Sequence, residues 1–545
     1  MTRDWQLRDV PAALRERYLG AGQWTDETLG AVLDAGLARA ASQPFTVRSH
    51  VRPWRGTLGD VRTMARHVAG GLRSRGVGPG DAVAFQLPNW VEAAATFYAA
   101  SMLGAVVVPI VHFYGPKEVG YILRRTGVKA FVTAARFGHL DYLANLERMR
   151  PDLPDLELVA VVGDERGDDA DGEHLAFAEL LRAEAIDAPV GVDPSSPALV
   201  AYTSGTTSDP KGVIHSHRTI VFEVKQLSAM QASGARPSLV GAPVGHGIGM
   251  LAALLLPVWQ AGAIHLIDQW VPGDVLAAML EDDLSSGTGA TFFLTSLLDD
   301  PGITDRHLEL MHHMGLGGSA VPYPVAERAT RLGLSVVRLY GSTEHPSTTG
   351  CTHADPLDKR LRTDGRPMPG VELRLVDERG RDVGIDEPGE IVSRGPDCFV
   401  GYTHAALNAE CFDADGWYAT GDVGVLDVDG FVAIVDRKKD IIIRGGENIS
   451  ALEVEELLLR MEGVAEVAVV SAPDRRLGEH AAAFVRLLPG APVPDLHAVR
   501  AHLEAAGLAR QKWPEALELV EDFPRTPTGK VQKFVLRERL RAAGG

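Results

Sequence analysis

The apolar pattern of this chain changes twice along its length, and these changes limit the folds that the chain can adopt. Up to about residue 370, segments with apolar residues at helical spacing, such as 61–72 and 90–103, alternate with short β-branched runs, such as 105–110 and 158–162. Helical spacing predicts helices, and short β-branched runs predict buried strands. Their alternation predicts an α/β fold in which helices cover the sheets.

The second pattern begins at about Val371. Short apolar runs at 371–376, 389–393 and 431–435 are separated by turns that contain Gly, Asp and Pro. Strands of this length between such turns predict a small antiparallel or distorted barrel.

The third pattern follows a basic cluster, Arg437, Lys438 and Lys439, and occupies roughly the last hundred residues, enough for a small α+β domain. Because 545 residues exceed one ordinary core, we expect at least two domains, 1–438 and 439–545. The elements predicted in the second domain are a helix at 451–460, strands at 464–470 and 481–488, and a helix at 496–506.

The charge of the chain excludes some partners. Its formal net charge is −18, from 72 acidic and 54 basic residues. This balance argues against a nucleic-acid partner, which needs a basic stripe, and against adsorption to an anionic membrane surface. It leaves a phosphorylated small molecule open, since a few well-placed donors bind one.

The cysteines and the apolar runs indicate a compartment. Cys351, Cys398 and Cys411 show no CxxC spacing, so no disulfide framework is predicted and a reducing cytosol is favoured. The beginning of the chain shows no secretory pattern. The most apolar run, 250–267, is interrupted by polar residues, Pro and Gly, which indicates buried core rather than a membrane span. We therefore expect a soluble, cytoplasmic protein without stable membrane insertion.

The strongest local motif is residues 202–212, YTSGTTSDPKG, which follow an apolar run at 198–201. Hydroxyl groups around a glycine, ending in Pro-Lys-Gly, offer many donors and one cation beside a flexible turn, so the loop can wrap a polyphosphate. It is not a Walker A loop, because Pro210 stands where that motif needs its second glycine. A polar surface turn is the alternative for such a cluster taken alone.

Four further motifs follow in order: YGSTE at 340–344, YATGD at 418–422, DRKKD at 436–440 and PRTPTGK at 524–530. The five together resemble the adenylate-forming superfamily of acyl- and aryl-CoA synthetases, nonribosomal peptide adenylation domains and luciferases, over nearly the whole chain. The resemblance implies an α/β fold, with two α/β subdomains and a small β-barrel in a large N-terminal domain and a mobile, smaller α+β C-terminal domain. It also implies ATP, Mg²⁺ and coenzyme A as cofactor, metal and co-substrate.

The resemblance assigns a role to individual residues. The β- and γ-phosphates would be held by Thr203, Ser204, Gly205, Thr206, Thr207 and Lys211, with Thr206 and Lys211 also catalytic. Adenine and the neighbouring phosphates would be contacted by Gly317, Gly318, Ser319, Tyr340, Gly341 and Thr343. Ribose would be bound by Asp422 and Arg437, the Mg²⁺ by Glu344, and the pantetheine of coenzyme A by Gly445 and Gly446. The acid pocket would contain His246, Gly247 and His345, and the hinge between the domains would be Lys439.

Lys530 is the residue to which the resemblance gives the central chemical role. Negative charge develops on phosphate oxygens when a carboxylate attacks the α-phosphate of ATP, and a positioned ammonium stabilises it. The alternative, a solvated lysine near the end of the chain, is weakened by the Thr and Gly residues that precede it.

The sequence gives less information about which acid is the substrate. Residues 243–250, PVGHGIGM, occupy the acyl-pocket position of the family, and no acidic residue occurs between Gly241 and Gln260, which argues against an α-amino acid. Nearby aliphatic residues predict an apolar cavity, so medium-chain, alicyclic and aromatic acids or another oxyanion stay open. His215 and His217 flank one serine, and we expect strand residues there rather than a metal site.

The sequence is compatible with three functions. An acyl-CoA ligase is the leading one. A stand-alone adenylating enzyme that loads a carrier protein, or activates an oxyanion such as nitrite as a diazotase, is the second. A catalytically silent nucleotide-binding scaffold is the third, and the presence of Lys211, Glu344, Asp422 and Lys530 argues against it.

Overall fold

The computed structural model describes residues 5–163, 174–203, 210–230, 236–445, 447–474, 476–525 and 530–543. The acidic segment 164–173 and the central part of the phosphate loop lie outside the described residues.

The α-helices are distributed along the whole chain. In chain order they are α1 (Ala12–Gly20), α2 (Leu29–Arg39), α3 (Leu58–Arg73), α4 (Val91–Met102), α5 (Pro116–Thr126), α6 (Tyr142–Met149), α7 (Phe177–Leu181), α8 (His217–Ala229), α9 (Gly247–Gly249), α10 (Leu256–Gln260), α11 (Pro272–Asp282), α12 (Thr291–Leu298), α13 (Asp305–Leu310), α14 (Tyr323–Arg331), α15 (Leu357–Arg362), α16 (Ala406–Cys411), α17 (Ala451–Leu458), α18 (Leu496–Ala505) and α19 (Lys533–Ala543). Short 3₁₀ turns are Arg150–Asp152 and Arg510–Lys512, and a π-helical segment, Met250–Leu255, joins α9 to α10.

The strands form several separate sheets. In chain order they are β1 (Pro44–Arg48), β2 (Trp54–Thr57), β3 (Ala82–Gln86), β4 (Val106–Ile110), β5 (Val128–Ala134), β6 (Arg136–Phe137), β7 (Leu140–Asp141), β8 (Leu158–Val162), β9 (Leu175–Ala176), β10 (Pro197–Thr203), β11 (Lys211–Ser216), β12 (Leu239–Val240), β13 (Ile264–Ile267), β14 (His313–Leu316), β15 (Ser335–Tyr340), β16 (Thr349–Gly350), β17 (Arg366–Pro367), β18 (Glu372–Val376), β19 (Pro388–Arg394), β20 (Gly401–Tyr402), β21 (Tyr418–Leu426), β22 (Val432–Arg437), β23 (Ile442–Arg444), β24 (Glu447–Ile449), β25 (Val464–Asp474), β26 (Gly478–Leu487) and β27 (Ala516–Leu519).

The largest sheet has eight strands in the order β20-β11-β10-β4-β3-β5-β8-β9. Strands β4, β3, β5 and β8 are parallel, and β11 runs antiparallel to β10 and β20. Every residue of β3 and β4 is buried, as expected for parallel strands covered on both faces. Helix α4, which follows β3, is also buried along its whole length and packs against α2 and α3. The predicted α/β fold class is confirmed.

Two four-stranded sheets make up the second α/β part. One has the order β12-β13-β1-β2, in which the early strand β1 pairs in parallel with β13, and the other has the order β14-β15-β16-β17. Parallel strands β14 and β15 are connected through α14. The end of β15 is Tyr340, the first residue of the YGSTE motif, so the turn after this strand carries the motif into the centre of the molecule.

The region with the second sequence pattern folds as the antiparallel sheet β18-β19-β21-β22. The pairing of β21 with β22 places Asp422 directly opposite Arg437. Residues 15 positions apart in the sequence thereby become neighbours.

The C-terminal sheet has the order β24-β23-β26-β25, with β27 added to β26, and carries α17, α18 and α19. It has an apolar core of its own, with Val454, Val485 and Leu503 buried in it. The predicted helices and strands of this region are present. The boundary that we predict at Lys439 falls in the turn between β22 and β23, and as a domain boundary it stays a prediction.

The apolar run 250–267 becomes the helical segment after α9 and strand β13, with Leu254, Val258 and Leu266 fully buried, which confirms the prediction of core. In the part of the chain that the structure describes, no helix has the length and apolar character needed to cross a membrane. All three cysteines are free thiols.

Candidate active site

A cavity of about 2670 Å³ lies between the sheets of the N-terminal part and the C-terminal sheet. Every motif of the sequence analysis contributes to its wall. The predicted site residues that line it are Thr203, Lys211, His246, Gly247, Gly317, Gly318, Ser319, Tyr340, Gly341, Thr343, Glu344, Asp422, Arg437, Lys439 and Lys530. The cavity is therefore the place where residues more than 300 positions apart in the sequence meet.

The two ends of the phosphate motif lie on paired antiparallel strands. Thr203 ends β10 and pairs with Lys211, the first residue of β11, and both residues line the cavity. The ammonium of Lys211 lies 5.4 Å from the ring centroid of Tyr402. The predicted phosphate ligands between the two strands, Ser204, Gly205, Thr206 and Thr207, lie outside the described residues.

Glu344 lies in the turn between β15 and β16, and the shape of this turn depends on Gly341. A Cβ atom at Gly341 would stand 1.8 Å from the carbonyl oxygen of Pro346, which leaves no room for a side chain. Ser342 donates its backbone N–H to the carbonyl of His345 at 3.0 Å and closes the turn. Only 9% of Glu344 is exposed, and that part faces the cavity.

Tyr402 is a site residue that sequence reasoning missed. Its hydroxyl donates a hydrogen bond of 2.8 Å to Oε1 of Glu344, while its ring faces the ammonium of Lys211. Burial, followed by the charge of Glu344, raises the pKa of Tyr402 far above its usual range, so the hydroxyl keeps its proton and remains a donor. No local sequence signal marks this residue, because its partners belong to distant strands and turns.

The donor set fits a magnesium ion held mainly by substrate. Within the described ranges, no group of three or more His, Cys, Asp or Glu side chains is placed to hold a metal. The carboxylate of Glu344 lines the cavity, and Tyr402, whose hydroxyl bonds to it, faces Lys211 with its ring. Mg²⁺ binds through one or two carboxylates and completes its shell with phosphate oxygens and water, and the residues present match that pattern.

His215 supports the same turn from β11. Its Nε2 donates to the carbonyl of Thr343 at 2.7 Å, and burial lowers its pKa to about 4, so the ring is neutral. The expectation of a strand residue near the phosphate loop is confirmed for His215. It was wrong for His217, which begins α8, because the Ser216 side chain accepts from the N–H of Thr219 and caps the helix there.

Tyr340, Asp422 and Arg437 form a second connected group in the wall of the cavity. The Tyr340 hydroxyl donates to Oδ2 of Asp422 at 2.7 Å, and Nε of Arg437 lies 2.8 Å from Oδ1 of the same carboxylate. Only 3% of Asp422 is exposed, so the ion pair orients a carboxylate that water scarcely reaches. Burial and the charge of Asp422 raise the pKa of Tyr340 well above its usual value, and the phenol stays neutral.

The Gly317–Gly318 pair allows the backbone to pass close to its neighbours. A Cβ atom at Gly317 would lie 2.6 Å from the carbonyl oxygen of Leu339, and one at Gly318 would lie 2.4 Å from Cδ1 of Ile248. Gly318 also has a φ of +74°, which side chains disfavour. Gly317 is therefore required by packing against the backbone and Gly318 by its backbone conformation, and the turn lies against Ile248, two residues after His246.

Lys530 and His246 meet at the same end of the cavity. Burial, and then the positive charge of Arg437, lowers the pKa of Lys530 to about 8. Burial, and then the charge of Lys530, lowers the pKa of His246 to about 4, which leaves a neutral imidazole. Nδ1 of His246 accepts the backbone N–H of Ile248 at 3.3 Å, so the assigned tautomer carries its proton on Nε2.

Next to His246 the wall becomes apolar. Ile248, Trp270 and Phe293 belong to one cluster with Ala242 and Ala290. The rings of Trp270 and Phe293 meet edge to face with centroids 4.7 Å apart, and the indole N–H donates to Ser296 Oγ at 2.8 Å. This end of the cavity is built to bury apolar surface.

Some of the predicted site residues do not line the cavity. His345 is fully buried, with Nδ1 2.8 Å from Ser393 Oγ and Nε2 3.3 Å from Asp397, and it is not among the described residues that line the cavity. The structure does not support its prediction as an acid-pocket residue, because its side chain is buried in the core against Ser393 and Asp397. Gly445 occupies an exposed turn at a φ of +59°, away from the cavity, and Gly446 lies outside the described residues.

Comparison with known proteins decides the family. The model of the AMP-binding enzyme family matches residues 38–403, and that of the AMP-binding enzyme C-terminal domain matches 453–530. This chain belongs to the AMP-binding enzyme family. The activity expected from the sequence, ATP-dependent activation of a carboxylic acid as acyl-AMP and thioester formation with coenzyme A, is confirmed at the level of the family.

Relatives of this AMP-binding enzyme are similar over almost their whole length. It is 30% identical over 529 residues to the medium-chain fatty-acid–CoA ligase of Escherichia coli strain K12, covering 96% of this chain and 93% of the relative. It is 36% identical over 500 residues to the 3-[(3aS,4S,7aS)-7a-methyl-1,5-dioxo-octahydro-1H-inden-4-yl]propanoyl:CoA ligase of Rhodococcus jostii strain RHA1, covering 88% and 93%. The solved structure of ATP-bound MatB from Rhodopseudomonas palustris is 26% identical with a TM-score of 0.82, covering 94% of this chain and all of that one.

Proposed function

We propose that this enzyme activates an apolar carboxylic acid without an α-amino group and transfers its acyl group to coenzyme A. The observation that carries the proposal is the apolar cluster of Ile248, Trp270 and Phe293, which adjoins the polar end marked by His246 and Lys530. An ammonium-bearing substrate would need a buried acidic partner. Such a partner is absent between Gly241 and Gln260 of the sequence. Relatives that are named as ligases of a medium-chain and of a fused-ring acid support the same class.

In the first half-reaction, a carboxylate oxygen of the acid attacks the α-phosphorus of ATP, and the bond between the α- and β-phosphates breaks to release pyrophosphate. The Nε2–H of His246 would orient the carboxylate by donating to it. The ammonium of Lys530 would stabilise the charge on the phosphate oxygens and on the attacking oxygen. Both groups are preorganised at the same end of the cavity, so little reorganisation is needed as charge develops.

The nucleotide would be held by a second set of residues in the cavity wall. The Asp422 carboxylate, oriented by Tyr340 and Arg437, would accept hydrogen bonds from the ribose hydroxyls. The turn at Gly317 and Gly318 would lie along adenine. Thr203 and Lys211 would begin and end the contacts to the β- and γ-phosphates, and residues 204–207 would complete them.

Glu344 would hold the Mg²⁺ that shields the phosphate charges when it is bound. The hydrogen bond from Tyr402 fixes the carboxylate in one orientation. Gly341 and His215 hold the turn that carries Glu344.

The second half-reaction needs the C-terminal domain in another position. With Lys530 in the cavity, the turn at Gly445 lies on the surface. We infer that rotation about Lys439 withdraws Lys530 and brings Gly445 and Gly446 to the path of the pantetheine of coenzyme A. The thiol then attacks the acyl carbon of the acyl-AMP, and AMP leaves.

The test is pyrophosphate release over a panel of straight-chain, alicyclic, aromatic and amino acids and nitrite, each with and without coenzyme A. We expect an apolar acid to give the highest rate and AMP release to depend on coenzyme A. Lys530→Ala is the matched control for adenylation. An α-amino acid or nitrite as the best substrate would overturn the acid class, and AMP release that ignores coenzyme A would overturn the acceptor.

A further inference from the structure

Two hydrogen bonds connect the N-terminal and C-terminal parts on either side of the predicted hinge. The Ser450 hydroxyl donates to the carbonyl oxygen of Val435 at 2.9 Å, and the backbone N–H of Ala451 donates to Oδ2 of Asp436 at 2.7 Å. Val435 and Asp436 belong to β22, before Lys439, whereas Ser450 and Ala451 form the start of α17, after it.

Asp436 is well placed to make this contact strong. Its side chain is 6% exposed, and Oδ1 accepts the N–H of Arg437 at 2.7 Å, so the carboxylate is fixed relative to β22. Oδ2 accepts an N–H from the first turn of α17, where the helix leaves N–H groups without intrahelical partners and favours negative charge. The cap comes from the strand of the other domain, in addition to the cap that Ser450 gives to Glu453.

The contact exists together with Lys530 in the cavity. Lys530 belongs to the same C-terminal unit as α17, so the position of α17 against β22 sets the position of the lysine. A rotation about Lys439 moves Ala451 away from Asp436, because the two lie on opposite sides of the hinge.

We propose that Asp436 is a positioning residue for adenylation, which holds Lys530 in the active site by capping α17 from the N-terminal domain. The proposal rests on the two-step cycle of the proposed function. It follows that weakening this cap disfavours the conformation that makes acyl-AMP and leaves the conformation that makes the thioester unharmed.

A neighbouring carboxylate provides a matched control. Asp440 pairs with Arg537 at 2.8 Å, and both residues follow Lys439 and move together in the rotation. Asp440→Asn removes a largely buried ion pair within four residues of Asp436, but Asp440 takes part in neither of the two hydrogen bonds that cross the hinge.

The experiment compares Asp436→Ala, Asp436→Asn and Asp440→Asn in two single-turnover assays, acyl-AMP formation from ATP and acid, and coenzyme-A-dependent consumption of preformed acyl-AMP. We expect Asp436→Ala to slow the first reaction about ten-fold, the effect of losing one hydrogen bond to a charged group, and to leave the second unchanged or faster. Asp436→Asn, which keeps an acceptor oxygen and the shape of the side chain, should lose less. Asp440→Asn should not change the ratio of the two rates.

The possible outcomes distinguish the positioning role of Asp436 from the proposed function. The positioning role would be overturned if Asp436→Asn slowed both half-reactions equally, or if neither Asp436 variant changed the ratio of the two rates. The proposed function would still stand in that case, provided that the wild-type enzyme carries out both half-reactions. Failure of the wild-type enzyme to form acyl-AMP, or to consume it with coenzyme A, would overturn the proposed function itself. Should Asp436→Ala not fold, the isosteric Asp436→Asn decides the question.

Discussion

The nucleotide end and the acid end of the cavity are built in different ways. The nucleotide end is cross-linked by hydrogen bonds and ion pairs, from Tyr402 to Glu344 and from Tyr340 and Arg437 to Asp422. The acid end is an apolar cluster, in which the indole N–H of Trp270 donates to Ser296 Oγ. The difference indicates that the common chemistry is held by fixed polar geometry and the choice of acid by the shape of packed side chains.

Lys530 stands where the two ends meet, and its loss should have the largest effect. Lys530→Ala should lower the rate of acyl-AMP formation by about 10²–10³, the scale for losing one preorganised donor to a developing charge. Single-turnover formation of acyl-AMP is the measurement. Pyrophosphate release at the wild-type rate would remove Lys530 from the mechanism.

Glu344 tests the polar end. Glu344→Gln removes the negative charge that attracts Mg²⁺, so we expect a higher Mg²⁺ requirement and a loss of about ten-fold or more in ATP use. Titration of adenylation with Mg²⁺ gives the answer. Tyr402→Phe is the graded control, since it keeps the carboxylate and removes only the hydrogen bond that orients it. A Mg²⁺ dependence unaffected by Glu344→Gln would place the ion elsewhere.

The pH dependence of adenylation follows from the lowered pKa of Lys530. The ammonium form, which stabilises the charge, prevails below a pKa of about 8 and is lost as the pH rises through it. We therefore expect kcat/KM for acyl-AMP formation to fall above about pH 8, approaching about ten-fold per pH unit. In Lys530→Arg, whose guanidinium stays charged, this decline should vanish. The same decline in Lys530→Arg would assign it to another group.

Substitution of Trp270 tests the acid end, and we expect it to have the smallest effect on the rate of adenylation. Trp270→Ala enlarges the apolar end, so the ratio of kcat/KM for a longer or wider acid to that for the best wild-type acid should rise about ten-fold. Ser296→Ala is the control, because it removes the partner of the indole N–H without enlarging the cavity. An unchanged acid profile in Trp270→Ala would place the acid away from this cluster.

The sequence predicted the two ends unequally, for a physical reason. Tyr340 and Arg437 end strands, and Asp422 lies at an irregularity in the pairing of β21 with β19, so each needs a local backbone shape that a short motif can encode. Tyr402 and Trp270 act through contacts with residues more than 20 positions away, so no local pattern reveals them. His345 shows the limit in the other direction. It follows Glu344 directly, yet one residue along a tight turn is enough to point the side chain into the core.

In the fold, too, local features could be predicted from the sequence and long-range contacts could not. The predicted strands at 105–110 and 158–162 and the helices at 61–72 and 90–103 are present as β4, β8, α3 and α4, since burial and periodicity are local signals. The pairing of β1 with β13 joins strands about 220 residues apart, and only the folded structure reveals it.

In the proposed cycle, Lys530 acts in one conformation, and rotation about Lys439 then allows the second half-reaction. Lys439→Pro tests this most directly, because proline fixes φ at the hinge and removes its backbone donor, whereas Lys439→Ala changes only the side chain. We predict that Lys439→Pro retains single-turnover acyl-AMP formation but loses coenzyme-A-dependent consumption of preformed acyl-AMP, and that Lys439→Ala retains both. Wild-type rates of both half-reactions in Lys439→Pro would contradict the account.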